Sequence, residues 1–468
     1  MTKQRTKRGG GLSLLILAAL LMGCLVGYSL DNRVMAQGSS FEQLKVFSEV
    51  LAHIQNQYVE EVDSEELLQG AIRGMMDTLD PHSSYMKRKN YEELQVDTKG
   101  EFGGLGIHVS VRDKKLVVIS PIEDTPAFRA GIESGDHILK VEGKPTKDMT
   151  ISEAVELMRG KKGTEVVITI VREGPEGPEK PFDVTIVRDV IKVPSVRSRM
   201  IEPGIGYIRL TQFQERSGPD LKDHLKRLQD DGMESLVLDL RNNPGGLLTS
   251  AVEVAELFLD DGELVVYIQN RKGDREEYYA HVRDGGTDFP LVVLVNGGSA
   301  SASEIVSGAM QDLGRAVIMG TVSFGKGSVQ TVMPLSDESG LRLTTAKYYT
   351  ASGRTIHGNG ITPDIVVQPE KRKITEAQKR AFIERRDRQL DGKKEGALPG
   401  EEGAPAVEET DPDEPKIGDG EEDEKQEIIL TPEEERYLGD NQLQEAINLL
   451  KGWRILQGTS GLMLTAGG

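Results

Sequence analysis

The sequence predicts an α/β core with a mixed, largely parallel sheet, a mostly-β domain inserted before it, and helices at both ends. Three observations predict this fold class. Between residues 204 and 320, short apolar runs alternate with helical stretches, which is typical of a parallel sheet covered by helices. Between residues 103 and 188, short strand-like runs are separated by turn signals. Residues 41–79 and 431–453 carry apolar residues at helical spacing.

The individual elements follow from the same patterns. In the core we expect helices from about Gly218, Thr249 and Ser301, and strands at residues 205–210, 235–240, 291–295 and 316–319. In the inserted domain we expect a short helix at residues 150–159 and strands that include residues 116–119 and 166–170. Residues 41–79 are expected to form two amphipathic helices, and Pro432 opens the last helix.

Composition and periodicity together divide the chain into six parts. They are an export signal or anchor at 1–36, a helical region at 37–97, the mostly-β domain at 98–189, the α/β core at 190–370, a charged helix and an acidic segment expected to be disordered at 371–430, and a last helix with a tail at 431–468.

The charge of the chain is concentrated in one place. The formal net charge is −19, and residues 401–427 hold thirteen acidic and two basic residues, so about eleven net negative charges lie there. The remainder is only mildly acidic and has no basic stripe, which argues against nucleic acid as a partner. The single cysteine, Cys24, cannot build a disulfide framework or a zinc site.

The N-terminus has the features of an export signal. Four basic residues between Lys3 and Arg8 precede a charge-free run at residues 12–30, and Val-Met-Ala at 34–36 resembles a cleavage site. The run is also long enough to span a bilayer if it stays uncleaved, and the residues before Cys24 approximate a lipidation box. All three alternatives place the rest of the chain outside the cytoplasm, attached to the membrane at most through this segment. A buried core helix is the remaining alternative.

A candidate nucleophile lies where a predicted strand feeds a helix. Residues 296–304 form a Gly-rich turn followed by several serines, and a helix N-terminus stabilises a nucleophilic oxygen or an oxyanion beside it. Ser301 and Glu304 also have the spacing of a capping box, which is the simpler interpretation of this segment alone.

A candidate base follows in a second Gly-rich loop. The seven histidines lie in unrelated contexts, whereas Lys326 stands between two glycines after a predicted strand. A desolvated lysine can accept a proton from serine, although an ordinary solvated cation is the simpler alternative. Residues 320–326 contain most of a Walker A loop, but Gly327 replaces its hydroxyl residue, so phosphate binding is not predicted. A third segment, Asn-Asn-Pro-Gly-Gly at 242–246, suits either an oxyanion hole or an ordinary βα loop.

Together, and in their order along the chain, the three segments resemble the carboxy-terminal processing (tail-specific) serine protease family of the bacterial periplasmic type. The resemblance implies that Ser301 is the nucleophile, Lys326 the general base and Gln330 the residue that orients the lysine. It further implies an oxyanion hole made by the backbone N–H of Ala302 and of Gly246 or Gly245. The Ser–Lys mechanism that the family resemblance implies requires neither a metal nor a cofactor, so we expect neither.

The resemblance covers roughly residues 41–369 and includes the mostly-β domain, which looks like a PDZ domain. Its carboxylate-binding loop would hold the end of a substrate through the substrate-binding residues Gly104, Leu105, Gly106 and Ile107. Arg159 matches a family arginine that links the position of the PDZ domain to the catalytic site.

The sequence thus predicts an exported serine endopeptidase of the bacterial envelope that needs no cofactor and cleaves proteins near or from accessible C-terminal tails. The family and the location suggest cell-wall hydrolases as substrates, an activating envelope adaptor, and a homo-oligomer held by residues 41–79 and 431–453. Two non-catalytic alternatives are an envelope adaptor whose PDZ domain binds tails, and a carrier of apolar ligands built on the same core.

Overall fold

The computed structural model describes residues 41–112, 115–174, 177–281, 288–370, 374–375, 379–380 and 432–465. The predicted export segment at 1–36 and nearly all of the predicted acidic segment at 371–430 lie outside the described residues. The chain divides into two units, the first comprising Met1–Met86 with Val332–Leu343 and the second the remainder.

The first unit begins with the two predicted helices, α1 at residues 41–57 and α2 at Ser64–Asp77. Asp63 caps α2, because its Oδ1 accepts a hydrogen bond from the backbone N–H of Glu65 at 2.7 Å. Strand β1, Ser84–Met86, then pairs antiparallel with residues 340–342. Within α1 the large apolar residues remain exposed, with Phe41 at 79% and Leu44 at 61%.

The second unit contains most of the helices and strands. Its helices are α3 Arg88–Lys99, α4 Pro126–Arg129, α5 Ile151–Met158, α6 Ser217–Asp230, α7 Leu248–Glu256, α8 Ala302–Asp312, α9 Pro432–Gly439 and α10 Asn441–Thr465. The strands after β1 are β2 Glu101–Gly104, β3 Ile107–Arg112, β4 Lys115–Pro121, β5 His137–Val141, β6 Lys144–Pro145, β7 Glu165–Val171, β8 Glu173–Gly174, β9 Gly177–Pro178, β10 Phe182–Val187, β11 Asp189–Lys192, β12 Val196–Glu202, β13 Ile205–Leu210, β14 Ser235–Asp239, β15 Leu264–Asn270, β16 Arg275–Tyr279, β17 Leu291–Val295, β18 Val317–Gly320, β19 Ser328–Pro334, β20 Gly340–Thr350 and β21 Ile365–Val366.

The mostly-β domain is an antiparallel sheet in the order β10-β7-β5-β4-β3. Strand β7 alternates strictly, and its residues Val166, Ile168 and Ile170 are fully buried in the core of this domain. Helix α5 begins with a capping box, in which the Glu153 carboxylate accepts from the N–H of Thr150 at 2.7 Å. Among the described strands, β3 pairs only with β4, so its other edge is open.

The α/β core is a six-stranded sheet in the order β12-β13-β14-β17-β18-β21. The strands from β13 to β21 run parallel, and β12 is antiparallel to β13. Strands β14 and β17 are buried along their whole length, as the continuous apolar runs predict. Alternate residues of β17 enter different cores: Val293 packs with α6, α7 and α8, whereas Val292 and Leu294 pack with α9 and α10.

The last helix predicted from the sequence is in fact two helices, α9 and α10, which cover one face of the parallel sheet. The break is at Asp440, whose Oδ1 accepts from the N–H of Leu443 at 3.0 Å and so caps α10. Four α10 residues, Leu443, Ala446, Ile447 and Leu450, are buried against Val237, Leu294 and Met319.

The strand order places the predicted functional segments together. Because β13, β14, β17 and β18 are parallel, their carboxyl ends lie at one edge of the sheet, and the loops after β14, β17 and β18 carry the three motifs. Among the residues that the structure describes, no helix combines the length and the apolar character needed to cross a membrane.

Candidate active site

Ser301 stands at the sharp turn between β17 and α8. Its backbone has φ 54° and ψ −111°, an unusual conformation for a residue with a side chain, and helix α8 begins at the next residue. Ser301 is only 8% exposed. Such conformations persist only where the surroundings hold them, and they cluster at functional sites.

A buried carboxylate provides that support. Glu304 is fully buried, and its Oε2 accepts hydrogen bonds from the backbone N–H of Ser301 at 2.8 Å and of Lys326 at 2.9 Å. Its Oε1 accepts from the N–H of Gly325 at 2.6 Å and from the hydroxyl of Ser323 at 2.5 Å. The capping-box spacing therefore has a larger role than capping, because one carboxylate binds the candidate nucleophile loop to the candidate base loop.

The loop that carries Lys326 is held closely on both sides. A Cβ at Gly327 would lie 2.2 Å from the backbone N of His357, and Gly325 has φ 89°, so both positions require glycine. The Lys326 side chain is half-buried. Gln330, predicted to orient it, donates from its amide to the Ser328 carbonyl at 3.3 Å and to the Ser328 hydroxyl at 2.8 Å.

The Asn-Asn-Pro-Gly-Gly turn after β14 lies against the nucleophile. A Cβ at Gly245 would be 2.9 Å from the Ser301 Cβ and 3.0 Å from the Ala302 N. Asn243, fully buried, organises this contact: its Oδ1 accepts from the Gly245 N–H at 2.9 Å and its carbonyl accepts from the Ala300 N–H at 3.0 Å. The turn and the nucleophile loop are thus joined through one asparagine.

Two backbone donors remain open at this junction. The Gly245 N–H is used by Asn243, whereas the N–H groups of Gly246 and Ala302 donate to no acceptor among the described residues. The Gly246 backbone is fixed by its neighbour, because a Cβ there would lie 2.1 Å from the Phe213 carbonyl oxygen. Two preorganised N–H groups beside a serine suit a developing oxyanion.

Tyr348, which the sequence analysis did not single out as a site residue, lies close enough to the Ser301 side chain for the serine to influence its pKa. Its backbone N–H donates to the Gly327 carbonyl at 2.8 Å, so it also contacts the lysine loop. Burial raises the pKa of Tyr348 to about 12, even though the Ser301 side chain lowers it in part. The phenol therefore faces the serine as a neutral group.

The predicted carboxylate-binding loop lies between β2 and the open strand β3. Leu105 and Gly106 are buried, and their carbonyls accept from Ala127 and Ile122 at 2.9 Å, while their own N–H groups have no acceptor in the described part of the chain. Gly104 is buried at the end of β2, and Ile107 begins β3. Open N–H groups beside an open strand edge suit an extended chain with a terminal carboxylate.

Arg159 ends helix α5, and its guanidinium lies over the Phe102 ring, 4.6 Å from its centroid. It lines a groove of about 870 Å³ between α3 and α5. The Lys89 ammonium and the Glu156 carboxylate meet at 2.8 Å there. The structure therefore places Arg159 at the mostly-β domain, in contact with the segment that leads into the carboxylate-binding loop.

Comparison with known proteins identifies the family. A profile of Peptidase family S41 matches residues 204–367, a profile of the PDZ domain matches residues 103–186, and a profile of the activating protease CtpB N-terminal domain matches residues 28–90. A carboxy-terminal-processing protease of Bartonella bacilliformis is 48% identical over 342 residues, which cover 72% of this chain and 78% of that one. The chain belongs to peptidase family S41.

Two further proteins are similar to the chain at lower identity. The carboxy-terminal processing protease CtpA of Bacillus subtilis is 38% identical over 328 residues, covering 70% of this chain and 69% of that one. The solved structure of a photosystem II D1 C-terminal processing protease is 30% identical and covers 69% of this chain and 92% of that one, with a TM-score of 0.40. The predicted family and fold class are confirmed, and the chain is a serine peptidase with a PDZ domain.

Proposed function

We propose that this S41 peptidase cleaves protein substrates near or from their C-terminal tails with a Ser301–Lys326 dyad. The observation that carries the proposal is the buried Glu304 carboxylate, which accepts from the backbone N–H of both residues at 2.8 and 2.9 Å. Two loops held by the same carboxylate keep a fixed separation, as a nucleophile and its base require.

In the proposed mechanism, the neutral Lys326 amine takes the proton of the Ser301 hydroxyl as Oγ bonds to the scissile carbonyl carbon. The N–H groups of Gly246 and Ala302 hold the oxyanion. The intermediate collapses, the C–N bond breaks, and Lys326 returns the proton to the leaving amine. Water, deprotonated by Lys326, then attacks the acyl carbon, the bond to Ser301 Oγ breaks, and Lys326 returns the proton to Oγ, which releases the acid product. Gln330 orients the lysine in this scheme.

Substrate capture is proposed for the PDZ domain. The open N–H groups of Leu105 and Gly106 support binding of a terminal carboxylate, and the open edge of β3 supports addition of the tail as a strand. The positions of Gly104 and Ile107 at the two ends of this loop agree with that use. In this proposal the occupied domain gates cleavage, with Arg159 as the linking residue.

The biological setting is proposed from the sequence and the relatives. The N-terminal segment supports export to the periplasm, where proteins with accessible C-termini, including cell-wall hydrolases, would be substrates and an envelope adaptor would activate the enzyme. Exposed apolar residues on α1 support assembly with further copies of the chain. We also propose that the chain is organised in the six parts that the sequence predicts, from the export segment at 1–36 to the last helix and tail at 431–468.

The test is cleavage of an unstructured protein by the purified chain, with Ser301→Ala and Lys326→Ala beside it. We expect cleavage by the wild type and a loss of at least about a thousandfold in both variants. Lys226→Ala is the matched control, because Lys226 is exposed on α6, and it should keep full activity. Mass spectrometry after a fluorophosphonate should place the label on Ser301.

Each remaining outcome decides a part of the proposal. Full activity of either dyad variant would overturn the dyad. A silent wild type that becomes active in envelope extract would support gating by a partner, and a wild type silent under both conditions would overturn the proteolytic function.

A further inference from the structure

Asp440 and Gln442, at the junction of α9 and α10, form a polar corner that binds a buried arginine. The Asp440 carboxylate accepts from Arg241 through both oxygens, at 2.9 Å from Nη1 and 2.6 Å from Nη2. Gln442 Oε1 accepts from Nη1 of the same guanidinium at 3.0 Å. The Arg241 side chain is 11% exposed, so these are interactions of a desolvated charge.

Arg241 also holds the end of a core strand. Its Nε and Nη2 donate to the fully buried Asp239 at 3.0 and 2.7 Å, and Arg209 donates to the same carboxylate at 3.0 Å. Burial by itself raises the pKa of Asp239, but the hydrogen bond and charge of Arg241 and the charge of Arg209 outweigh it, so its pKa lies below the usual range. The buried guanidinium is thus shared by Asp239, from its own strand, and Asp440, from the far end of the chain.

The residue next to Arg241 opens the oxyanion turn. Asn242 has φ 56°, and its N–H donates to Asn296 in the nucleophile loop at 2.9 Å. The Arg241 carbonyl accepts from Arg209 at 3.3 Å. Both the side chain and the backbone of Arg241 are therefore fixed at the point where the chain enters residues 242–246, so a movement of the guanidinium would be passed to the turn.

We propose that Asp440 is a positioning residue for the oxyanion turn, so that the C-terminal helices complete the active site as well as cover the sheet. The inference rests on the proposed function, since it assigns Gly246 to the oxyanion. If Asp440 no longer accepts from Arg241, the buried guanidinium reorients toward other acceptors and carries the start of the turn with it. We expect substrate binding at the PDZ loop to be unchanged, because no hydrogen bond or ion pair among the described residues joins residues 104–107 to Asp440, Gln442 or Arg241.

The experiment compares Asp440→Asn with Lys451→Gln in the full chain. Lys451 is the matched control, because it lies on the same helix α10 and pairs with Glu202 at 3.2 Å, away from the oxyanion turn. For Asp440→Asn we expect kcat to fall between about tenfold and a hundredfold with KM within about twofold, as misplacement of a catalytic group predicts. The rate at which a fluorophosphonate labels Ser301 should fall in parallel. Lys451→Gln should keep both rates.

Assays run well below the thermal midpoint of each variant, so that folded fractions are equal. If Asp440→Asn and Lys451→Gln give the same kcat and labelling rate, or if only KM changes, the inference is overturned. Gln442→Met provides a milder second variant, because it removes one acceptor from Arg241, and it should lower kcat in the same direction. A wild type that is inactive both alone and in envelope extract would instead count against the proposed function, which keeps the two failures distinguishable.

Discussion

The Glu304 carboxylate is surrounded by four donors, and each of its oxygens accepts from two of them. In Glu304→Gln, an NH₂ group replaces one oxygen and faces two N–H or O–H donors. We expect the free energy of unfolding to fall by about 2–6 kcal/mol, from roughly 1–3 kcal/mol for each unsatisfied buried donor. Because the nucleophile and base loops then separate, kcat should fall at least about a hundredfold.

Urea unfolding and steady-state kinetics measure these two effects. Glu153→Gln is the matched control, because Glu153 also accepts from an N-cap N–H, that of Thr150, but at the exposed start of α5. It should keep kcat and lose far less stability. Equal kcat values for the two variants would show that Glu304 is an ordinary cap.

Gly245 gives a second prediction at this scale. With φ 100° it lies beside the Ser301 Cβ, so Gly245→Ala places a methyl group 2.9 Å from that atom. Gly262 has φ 80° with nothing within 4 Å, which makes Gly262→Ala the control for backbone strain alone. Each variant should lose roughly 1–2 kcal/mol of stability from the left-handed backbone. Only Gly245→Ala should also lose kcat, by about a hundredfold or more; equal activities would contradict contact between turn and nucleophile.

Some residues of the candidate site can be identified from the sequence alone, and others cannot. Ser301 and Lys326 can be named from the sequence as candidates because each lies in a short, distinctive Gly-rich segment, and the structure joins these two loops through Glu304. The role of Glu304 cannot be predicted in this way, because its partners at Ser323, Gly325 and Lys326 come from a loop about twenty residues later. Tyr348 escapes for the same reason, since only the pairing of distant segments brings its hydroxyl to Ser301.

Helix α10 carries one buried and one exposed isoleucine, so its packing on the core can be tested by comparing the same substitution at both positions. Ile447 is 1% exposed in the cluster with Val237 and Leu294, whereas Ile455, two turns later on the same helix, is 69% exposed. Ile447→Ala should lower the free energy of unfolding by about 2–5 kcal/mol through lost burial and a cavity. Ile455→Ala should change it by no more than about 0.5 kcal/mol. Similar losses in urea unfolding would mean that the helix does not pack in this register.

Strand β17 and the break between α9 and α10 show which element boundaries can be predicted from the sequence. The sequence predicts strand β17 with its observed bounds, Leu291–Val295, because a continuous apolar run of this length is typical of a buried strand and is short for a helix. The final helix was predicted as continuous, although Gly439 followed by Asp440 is a helix stop followed by an N-cap. That signal is weak locally, and the break is stabilised by the contacts of Asp440 with Arg241.

For the molecule as a whole, alternation of strands and helices is enough to predict the parallel sheet, and the parallel sheet is enough to gather three loops at one edge. This alternation does not predict which segment of the chain covers the other face of the sheet, where α9 and α10 lie. Helices α6, α7 and α8 follow their strands directly, but α9 and α10 are separated from β21 by about sixty-five residues. The spacing of apolar residues shows that a helix is amphipathic, but it does not show which surface of the protein that helix covers.

The distant origin of these two helices has a consequence for biosynthesis. A ribosome makes residues 437–450 after every strand of the sheet they cover, so that face of the core is made before the helices that pack on it in the described structure. If Asp440 positions the oxyanion turn, the catalytic centre of the nascent chain stays incomplete until the helices α9 and α10 have been made and have packed on the sheet. A chain that stops early would be both inactive and marked by a bare apolar face, which makes it a ready target for degradation.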